Sequence, residues 1–313
     1  TLIPHLSIEP VKETLRQLPE LIFRLDIPPV VSVMTALVLA IMIGLATVWT
    51  KSEVFENLLD NFQKMVLLLI NRILIPILPF FIAANFCALS YEGAITKQLP
   101  VFLGVMVIVI ISQFVWLSFL YVLAGAISKK NPWQVLKYYG PAYLTAVGTM
   151  SSAATLAVAL KCAKKSPVLK DDVIDFAVPL FSNIHLCGSI LTEVFFVMTV
   201  SLMLYGSLPS LTVMILFIIL LGIFAIGAPG VPGGTVIASL GIVISVLGFD
   251  EAGTALLLTI FALQDSFGTA CNITGDGALT LIMTKASSHR STKHPLQHKP
   301  HKDTPDFHNK DYC

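Results

Sequence analysis

The chain has 313 residues, 55% of them hydrophobic and only 12% charged, and its mean hydropathy is +0.82. This composition excludes a soluble globular protein of that length and predicts a polytopic, all-α membrane protein embedded in a lipid bilayer. The net charge of +1 comes without a basic stripe, so no nucleic-acid partner is predicted. Five cysteines with no CxxC pair indicate neither a disulfide framework nor a zinc site.

The first part of the chain predicts an interfacial connector followed by three membrane spans. Residues 1–28 mix charged and apolar positions and lack the pattern of a signal peptide, so we expect a connector in a chain that is a fragment. Apolar runs at 29–49, 66–89 and 100–127 each reach the roughly 20 residues that a bilayer requires. The stretch 51–64 between the first two runs is charged and is predicted to be a polar link.

The next segment, residues 138–160, predicts a helical hairpin that enters and leaves the membrane on one side. It is interrupted by Gly-Thr-Met-Ser-Ser at 148–152, and lysines flank it on both sides. Cytoplasmic loops collect lysine, so two basic flanks put both ends of the segment inside. The alternative is an ordinary span with a weak kink, which would leave one lysine cluster outside.

Three further segments complete a repeating pattern. Residues 175–203 predict a span with a polar centre at 182–188. Residues 211–247 form two apolar arms around a Gly/Pro-rich centre at 227–235, which predicts a second re-entrant hairpin with its tip at membrane depth. A last polar-centred span follows at 255–285. The order hairpin, span, hairpin, span is typical of the inverted repeats of secondary transporters.

The last span carries a stripe of polar side chains, which we call the polar seam: Asp265, Thr269, Asn272 and Asp276. Around a helix, the last three lie about +40°, −20° and +20° from Asp265, so all four share one face. Carboxylates in hydrocarbon are costly unless they face a bundle interior or a wet cavity, so the polar seam predicts a binding site. The alternative is that these residues only join helices by hydrogen bonds.

Four motifs together resemble the dicarboxylate/amino acid:cation symporters, the family that shares the glutamate-transporter fold. The motifs are a serine-rich tip at 149–156, Asn-Ile-His-Leu-Cys-Gly at 183–188, Gly-Val-Pro-Gly-Gly at 230–234 and Asn-Ile-Thr-Gly-Asp at 272–276. They follow the family's order, and the resemblance covers about residues 20–285. The family's first three spans have no counterpart, which again indicates a truncated chain.

The resemblance implies a site for an amino acid or a dicarboxylate between the two hairpin tips and the last span. Asp265 would receive the substrate amino group, and Asn272 would bind its main carboxylate. Pairing a carboxylate with an ammonium and helix N-termini with an anion is sensible chemistry for such a substrate. The other implied substrate contacts are Thr269 and the backbone groups of Ser151, Ser152, Val231 and Gly234.

Sodium is the coupling ion that the resemblance implies, and no organic cofactor is expected. Hard cations prefer oxygen ligands, and Gly275 is expected to free carbonyls near Asp276. The first sodium site would be formed by Asp276 and the backbone carbonyls of Phe181, His185 and Asn272. The second would be formed by the carbonyls of Asn183, Ala225, Ile226 and Ala228. The family's third site is not expected, because His185 and Cys187 replace an asparagine and an aspartate.

Three departures from the family pattern bear on the substrate and the ion. Gly268 and Met150 stand where glutamate carriers have arginines, of which the one replaced by Gly268 binds the acidic side chain. We therefore expect a neutral rather than an acidic amino acid, with Gly268 leaving open volume beside the substrate side chain. The third departure is His185, which is either a packed, hydrogen-bonded histidine or a proton-coupling group.

The sequence predicts a partial scaffold at 1–97, a transport domain at 98–288 that moves against it, and a disordered cytoplasmic tail at 289–313. A metal-binding tail is the alternative for the histidines after residue 288. The resemblance implies a cell-membrane location and a homotrimer.

The leading function is cation-coupled transport. The alternatives are a proton-coupled carrier using His185, an ion or anion channel, and a truncated remnant that does not transport. An enzyme is not expected, because the sequence has no HExxH motif and no Ser/His or His/Asp set is predicted to share a face.

Overall fold

The computed structural model of the chain describes residues 33–69, isolated positions between 72 and 91, and residues 94–293 except Pro229. Every element within these residues is helical, as the composition predicts. The helices are α1 (Val33–Thr50), α2 (Glu53–Leu69), α3 (Ala94–Ser128), α4 (Trp133–Leu136), α5 (Gly140–Thr149), α6 (Ser152–Lys164), α7 (Asp171–Ile184), α8 (Cys187–Tyr205), α9 (Leu211–Gly227), α10 (Gly234–Leu247) and α11 (Glu251–Lys293).

The long apolar helices agree with the predicted spans. In the described part of the chain, three stretches are long and apolar enough to cross a membrane: Pro100–Ser128, Asp171–Tyr205 and Glu251–Ser287. The predicted first span coincides with α1. The connector at 1–28 lies outside the described residues, as does half of the span predicted at 66–89.

The charged stretch 51–64 is not an open link, because most of it lies in helix α2. Its apolar side chains recur at helical spacing, as in Phe55, Leu59 and Phe62, while Asp60 lies on the opposite face. The prediction of a polar link was therefore wrong: the charges mark one face of an amphipathic helix.

The first re-entrant hairpin is formed by α5 and α6, which pack against each other. Their lengths of 10 and 13 residues are each too short to cross a bilayer. The chain reverses at Met150, which has left-handed backbone with φ +51°, and Ser151, whose hydroxyl accepts the N–H of Ala154 at 3.2 Å. The prediction of a hairpin is confirmed.

The second hairpin is formed by α9 and α10, of 17 and 14 residues, joined at the Gly/Pro-rich tip. Gly233 has φ +70° and stands just before the first residue of α10. Between the hairpins, the predicted polar-centred span is broken: α7 ends at Ile184 and α8 begins at Cys187. His185 and Leu186 at this break lack helical backbone angles.

Helix α11 lies at the centre of the fold and packs against α3, α5, α7 and α8. One apolar cluster beside it contains Phe196, Phe217 and Phe261, and a second contains Tyr139 and Ile273. The helix runs without a break from Glu251 to Lys293. Gly275 therefore does not interrupt it, contrary to the expectation of freed carbonyls, because the tight packing around α11 holds the glycine in helical geometry.

A surface contact joins the first hairpin to the following helix. Lys164 Nζ lies 2.7 Å from Asp175 Oδ1, and both side chains are exposed. The hydrogen bond to the Asp175 carboxylate raises the pKa of Lys164 above its ordinary value. Exposed pairs of this kind contribute little to stability, so the packed helices determine the hairpin's position.

The close packing of α11 is testable at Gly277. A methyl group there would lie 2.6 Å from Tyr121 Oη and 2.8 Å from Tyr139 Cε2. Because both rings are buried, Gly277→Ala should lower the free energy of unfolding by about 1–3 kcal/mol. The control is Gly222→Ala in α9, where no atom lies within 4 Å of the added methyl. Thermal unfolding in detergent measures both, and equal midpoints would contradict the packing.

Candidate functional site

The four residues of the polar seam all lie on the buried face of α11. Asp265, Thr269, Asn272 and Asp276 are at most 4% exposed. Three of them make hydrogen bonds to other elements, and each bonds to a different place. The seam therefore connects the second hairpin tip, the start of α8 and the end of α7.

Asp265 bonds to the second hairpin tip. Its Oδ2 accepts the backbone N–H of Gly233 at 2.6 Å. Gly233 precedes α10, and the first N–H groups of a helix have no partner within it, so a carboxylate is stabilised there. The contact holds the carboxylate of Asp265, the first residue of the polar seam, against the second hairpin tip.

The two hairpin tips are bonded to each other. Ser151 Oγ donates to the carbonyl of Gly230 at 2.7 Å, and the N–H of Ala153 donates to the same oxygen at 3.4 Å. Ser152 is buried next to this contact. Within the second tip, the N–H of Gly234 donates to the carbonyl of Val231 at 2.9 Å. The tip residues expected to contact substrate are thus brought together in a closed arrangement.

Asn272 caps the start of α8. Its Oδ1 accepts the N–H groups of Gly188 at 2.7 Å and Ser189 at 3.3 Å, and its Nδ2 donates to Ser189 Oγ at 2.9 Å. The side chain that was expected to bind a substrate carboxylate is committed to these groups in this arrangement. A substrate contact at Asn272 requires one of these bonds to be exchanged.

Asp276 is fully buried, and both of its oxygens accept hydrogen bonds from the end of α7 and the break after it. His185 Nδ1 lies 2.9 Å from Oδ1, and Ser182 Oγ lies 3.1 Å from Oδ2. The carbonyl of Phe181, expected as a sodium ligand, accepts the N–H of His185 at 2.8 Å. Two of the oxygens expected to bind the first sodium, on the Asp276 carboxylate and the Phe181 carbonyl, are therefore in contact with His185 nitrogens.

The residues of the expected second sodium site lie around the α7–α8 break and the end of α9. Leu186, Ala225 and Ala228 form one small buried cluster, which brings the two regions together. The carbonyl of Ala225 accepts the N–H of Ala228 at 3.2 Å. Asn183 is exposed, and its side chain donates to the carbonyl of Pro179, so only its backbone oxygen could serve this site.

Comparison with known proteins identifies the fold family. Residues 6–286 match the sequence pattern that defines the "Sodium:dicarboxylate symporter family". The chain belongs to this family. It is a polytopic membrane protein of that fold, and the resemblance carried by the four motifs is confirmed.

Curated relatives of this symporter-family chain are named as transporters. The chain is 29% identical to "Excitatory amino acid transporter 3" of Bos taurus, over 80% of the chain and 47% of the relative. It is 25% identical to "Putative sodium-dependent excitatory amino acid transporter glt-4" of Caenorhabditis elegans (81% and 50%) and 26% identical to "Excitatory amino acid transporter 1" of Homo sapiens (76% and 43%). The chain spans about half the length of these relatives or less.

The surroundings of Gly268 differ from those that the sequence predicted. A methyl group at Gly268 would lie 3.3 Å from Ser189 Oγ and 3.4 Å from Ser189 Cα. The position is a close contact between α11 and α8, and the expectation of open volume there was wrong. A side chain at this position would require Ser189 to shift by a few tenths of an ångström.

Two further polar residues, Glu193 and Gln113, are buried within apolar helices outside the polar seam. Glu193 is fully buried in α8 and accepts a hydrogen bond from Ser239 of the second hairpin. Gln113 of α3 donates to Thr192 Oγ1 at 2.9 Å. A polar residue within an apolar helix was the available signal, but its partner on another helix could not be read from spacing.

The contact between the tips can be tested at Ser151. Ser151→Ala removes both the bond to Gly230 and the cap of α6, so the second tip should lose protection against amide exchange. Ser210→Ala is the matched control: Ser210 caps α9 by accepting the N–H of Val213 at 3.3 Å and has no cross-tip bond among those described. Hydrogen exchange followed by mass spectrometry of residues 228–234 measures the effect. Equal exchange in both variants would argue against a direct contact between the tips.

Proposed function

We propose that the protein is a secondary active transporter that couples the movement of an amino acid to a cation gradient, with sodium as the favoured ion. The substrate is a neutral amino acid in preference to an acidic one or a dicarboxylate. The observation that carries the proposal is the position of Asp265, a buried carboxylate held at the contact between α11 and the second hairpin tip.

Asp265 supports binding of an ammonium group. An ionised carboxylate only accepts hydrogen bonds, and the single bond from Gly233 leaves Asp265 with further acceptor positions. A substrate ammonium would satisfy the charge in a site with little water, where such a pair is stronger than at a surface. The Gly233 bond then links substrate binding to the position of the second tip.

The N-termini of α6 and α10 support binding of the substrate carboxylate. Both helices begin at a hairpin tip, and unpaired N–H groups at a helix start attract anions. The substrate contacts in this proposal are Asp265, Thr269, Asn272 and the backbone of Ser151, Ser152, Val231 and Gly234. Because Ser151 bonds to Gly230, the second tip has to separate from the first for substrate to enter.

In this proposal, the coupling sodium binds to the carbonyl groups near the α7–α8 break. The buried cluster of Leu186, Ala225 and Ala228 holds the end of α9 against that break, so an ion there would join the second tip to the middle of the bundle. Backbone carbonyls freed at helix ends are suited to a partly dehydrated cation. The proposed ligands are the carbonyls of Asn183, Ala225, Ile226 and Ala228.

The proposal extends to movement and assembly. Residues 98–288 would move as a transport domain against the preceding residues 1–97, in a homotrimer in the cell membrane with the C-terminus in the cytoplasm. Lysines concentrated at 129–137 and 161–170 support the assignment of those loops to the cytoplasmic side. Cross-linking in native membranes tests the trimer, and protease access from either side tests the orientation.

The role of Asp265 is tested by Asp265→Asn. The asparagine keeps an oxygen that can accept the Gly233 N–H, so the tip should stay in place, whereas the charge that pairs with an ammonium is lost. Amino-acid affinity should fall by about 2–5 kcal/mol. Uptake of radiolabelled amino acids into liposomes under a sodium gradient measures it.

The control for this substitution is Asp250→Asn. Asp250 also accepts a glycine N–H, that of Gly253 at 2.8 Å, but lies outside the polar seam near the start of α11. It should retain uptake close to that of the unchanged protein. If Asp265→Asn transports as well as Asp250→Asn, Asp265 does not bind substrate.

The preference for a neutral substrate has its own test. The two tips and the seam from Asp265 to Asp276 contain no lysine or arginine, so no fixed cation is available for a second substrate carboxylate. We expect neutral amino acids to compete for uptake at least about tenfold better than aspartate or glutamate, a difference of about 1.4 kcal/mol. Equal or better competition by the acidic amino acids would reverse the assignment.

A further inference from the structure

His185 occupies a position that its local backbone and its neighbours determine together. It lies at the α7–α8 break with non-helical φ −106° and ψ 90°, so its side chain is not directed by a helix. Its Nδ1 lies 2.9 Å from Asp276 Oδ1, and the side chains are 16% and 0% exposed. A methyl group on Gly275 would lie 2.7 Å from the ring carbon Cε1, so a residue without Cβ is required for the ring to lie there.

We propose that the His185 side chain takes the place of a cation at Asp276, so that this carboxylate does not bind sodium. The inference rests on the proposed function and deepens it, because it confines any coupling sodium to the carbonyl groups at the α7–α8 break and the second tip. His185 is in this sense a specificity-determining residue for the ion. The first sodium site expected from the sequence is replaced by a bond within the protein.

The hydrogen bonds around Asp276 support this exclusion. When the Asp276 carboxylate is ionised it only accepts, and Nδ1 of His185 then carries the hydrogen that faces Oδ1. Ser182 Oγ lies 3.1 Å from Oδ2 and 2.8 Å from the Val178 carbonyl, so its one hydrogen is divided between these two oxygens. A sodium ion on the side of Oδ1 that faces His185 would have to displace this hydrogen bond.

The neighbouring carbonyl groups are also engaged. A cation needs several oxygen ligands, not one carboxylate alone. The carbonyl of Phe181 accepts the N–H of His185 at 2.8 Å, and that of Thr274 accepts Tyr121 Oη at 2.8 Å. Helix α11 continues through Asn272 and Gly275, so its carbonyls there remain within a continuous helix. Of the carbonyl groups expected at the first sodium site, that of Phe181 is therefore engaged by an N–H, and that of Asn272 lies within a continuous helix.

The test is sodium binding to the purified full chain in detergent, measured by titration calorimetry with sodium chloride and with choline chloride as the ionic-strength control. We expect Asp276→Asn to change the sodium dissociation constant of the otherwise unchanged protein by less than about twofold. His185→Ala should add a sodium-binding event, because it exposes a carboxylate oxygen and leaves space for the ion. That added event should be lost in the double variant His185→Ala, Asp276→Asn.

Two results would overturn the inference. One is a sodium affinity that falls about tenfold or more on Asp276→Asn alone. The other is the absence of any added event in His185→Ala. These outcomes separate the inference from the proposed function. A protein that binds sodium only after His185 is replaced supports the inference and contradicts sodium coupling. A protein whose sodium binding depends on Asp276 alone contradicts the inference and supports sodium coupling.

A second measurement uses the unchanged sequence, in case the variants do not fold. Nitrogen-15 NMR of histidine-labelled protein reports the Nδ1–H of His185, assigned by its absence in His185→Gln or by its contact with Asp276. Addition of sodium chloride should leave this resonance in place. A saturable shift with sodium but not with choline would show that the ion displaces the ring, and would overturn the inference.

Discussion

The constraint on which the rest of the structure depends is the burial of two carboxylates on one face of a membrane helix. A lipid bilayer does not solvate Asp265 or Asp276, so each must find hydrogen-bond donors from the protein. Helix α11 cannot provide them, because its own N–H groups are used within the helix. The donors come from Gly233 at the second tip and from the end of α7 and the break after it. The interrupted helices therefore provide the hydrogen-bond donors that the two carboxylates of the continuous helix α11 require.

This dependence connects parts of the molecule that are far apart in sequence. The start of α8 is capped by Asn272, the start of α10 is bonded to Asp265, and the first tip is bonded to the second through Ser151. Each of these contacts is made at the terminus of an interrupted helix. A movement of the second hairpin would break the bonds of Asp265 and Ser151 while leaving those of Asn272 intact. The polar seam thus has two parts: Asp265 can lose its bond when the second tip moves, whereas Asn272 keeps its bonds to α8.

The sequence was sufficient to predict the two hairpins. Gly and Pro indicate where a helix ends, and lysines on both flanks of a segment indicate that both of its ends lie on the cytoplasmic side. It also predicted that the four polar positions share one face. It could not predict their partners, since helical spacing gives the direction of a side chain and not the residue opposite. The cap that Asn272 provides to α8 and the contact of the His185 ring with Asp276 were therefore not predicted. Gly268 was misread for the same reason: an absent side chain looks the same at a helix contact and in a cavity.

The left-handed backbone of Met150 has a consequence for the energetics of the first hairpin. At Gly206, Gly233 and Gly248 the same region of φ is occupied by a residue without Cβ, but Met150 at φ +51° carries a full side chain. Left-handed geometry costs a residue of this kind about 1–2 kcal/mol. The packing of α5 against α6 must offset that cost, because the chain reverses between these two helices at Met150. The first hairpin therefore stores this strain in its own turn, and Met150→Gly is expected to relieve it.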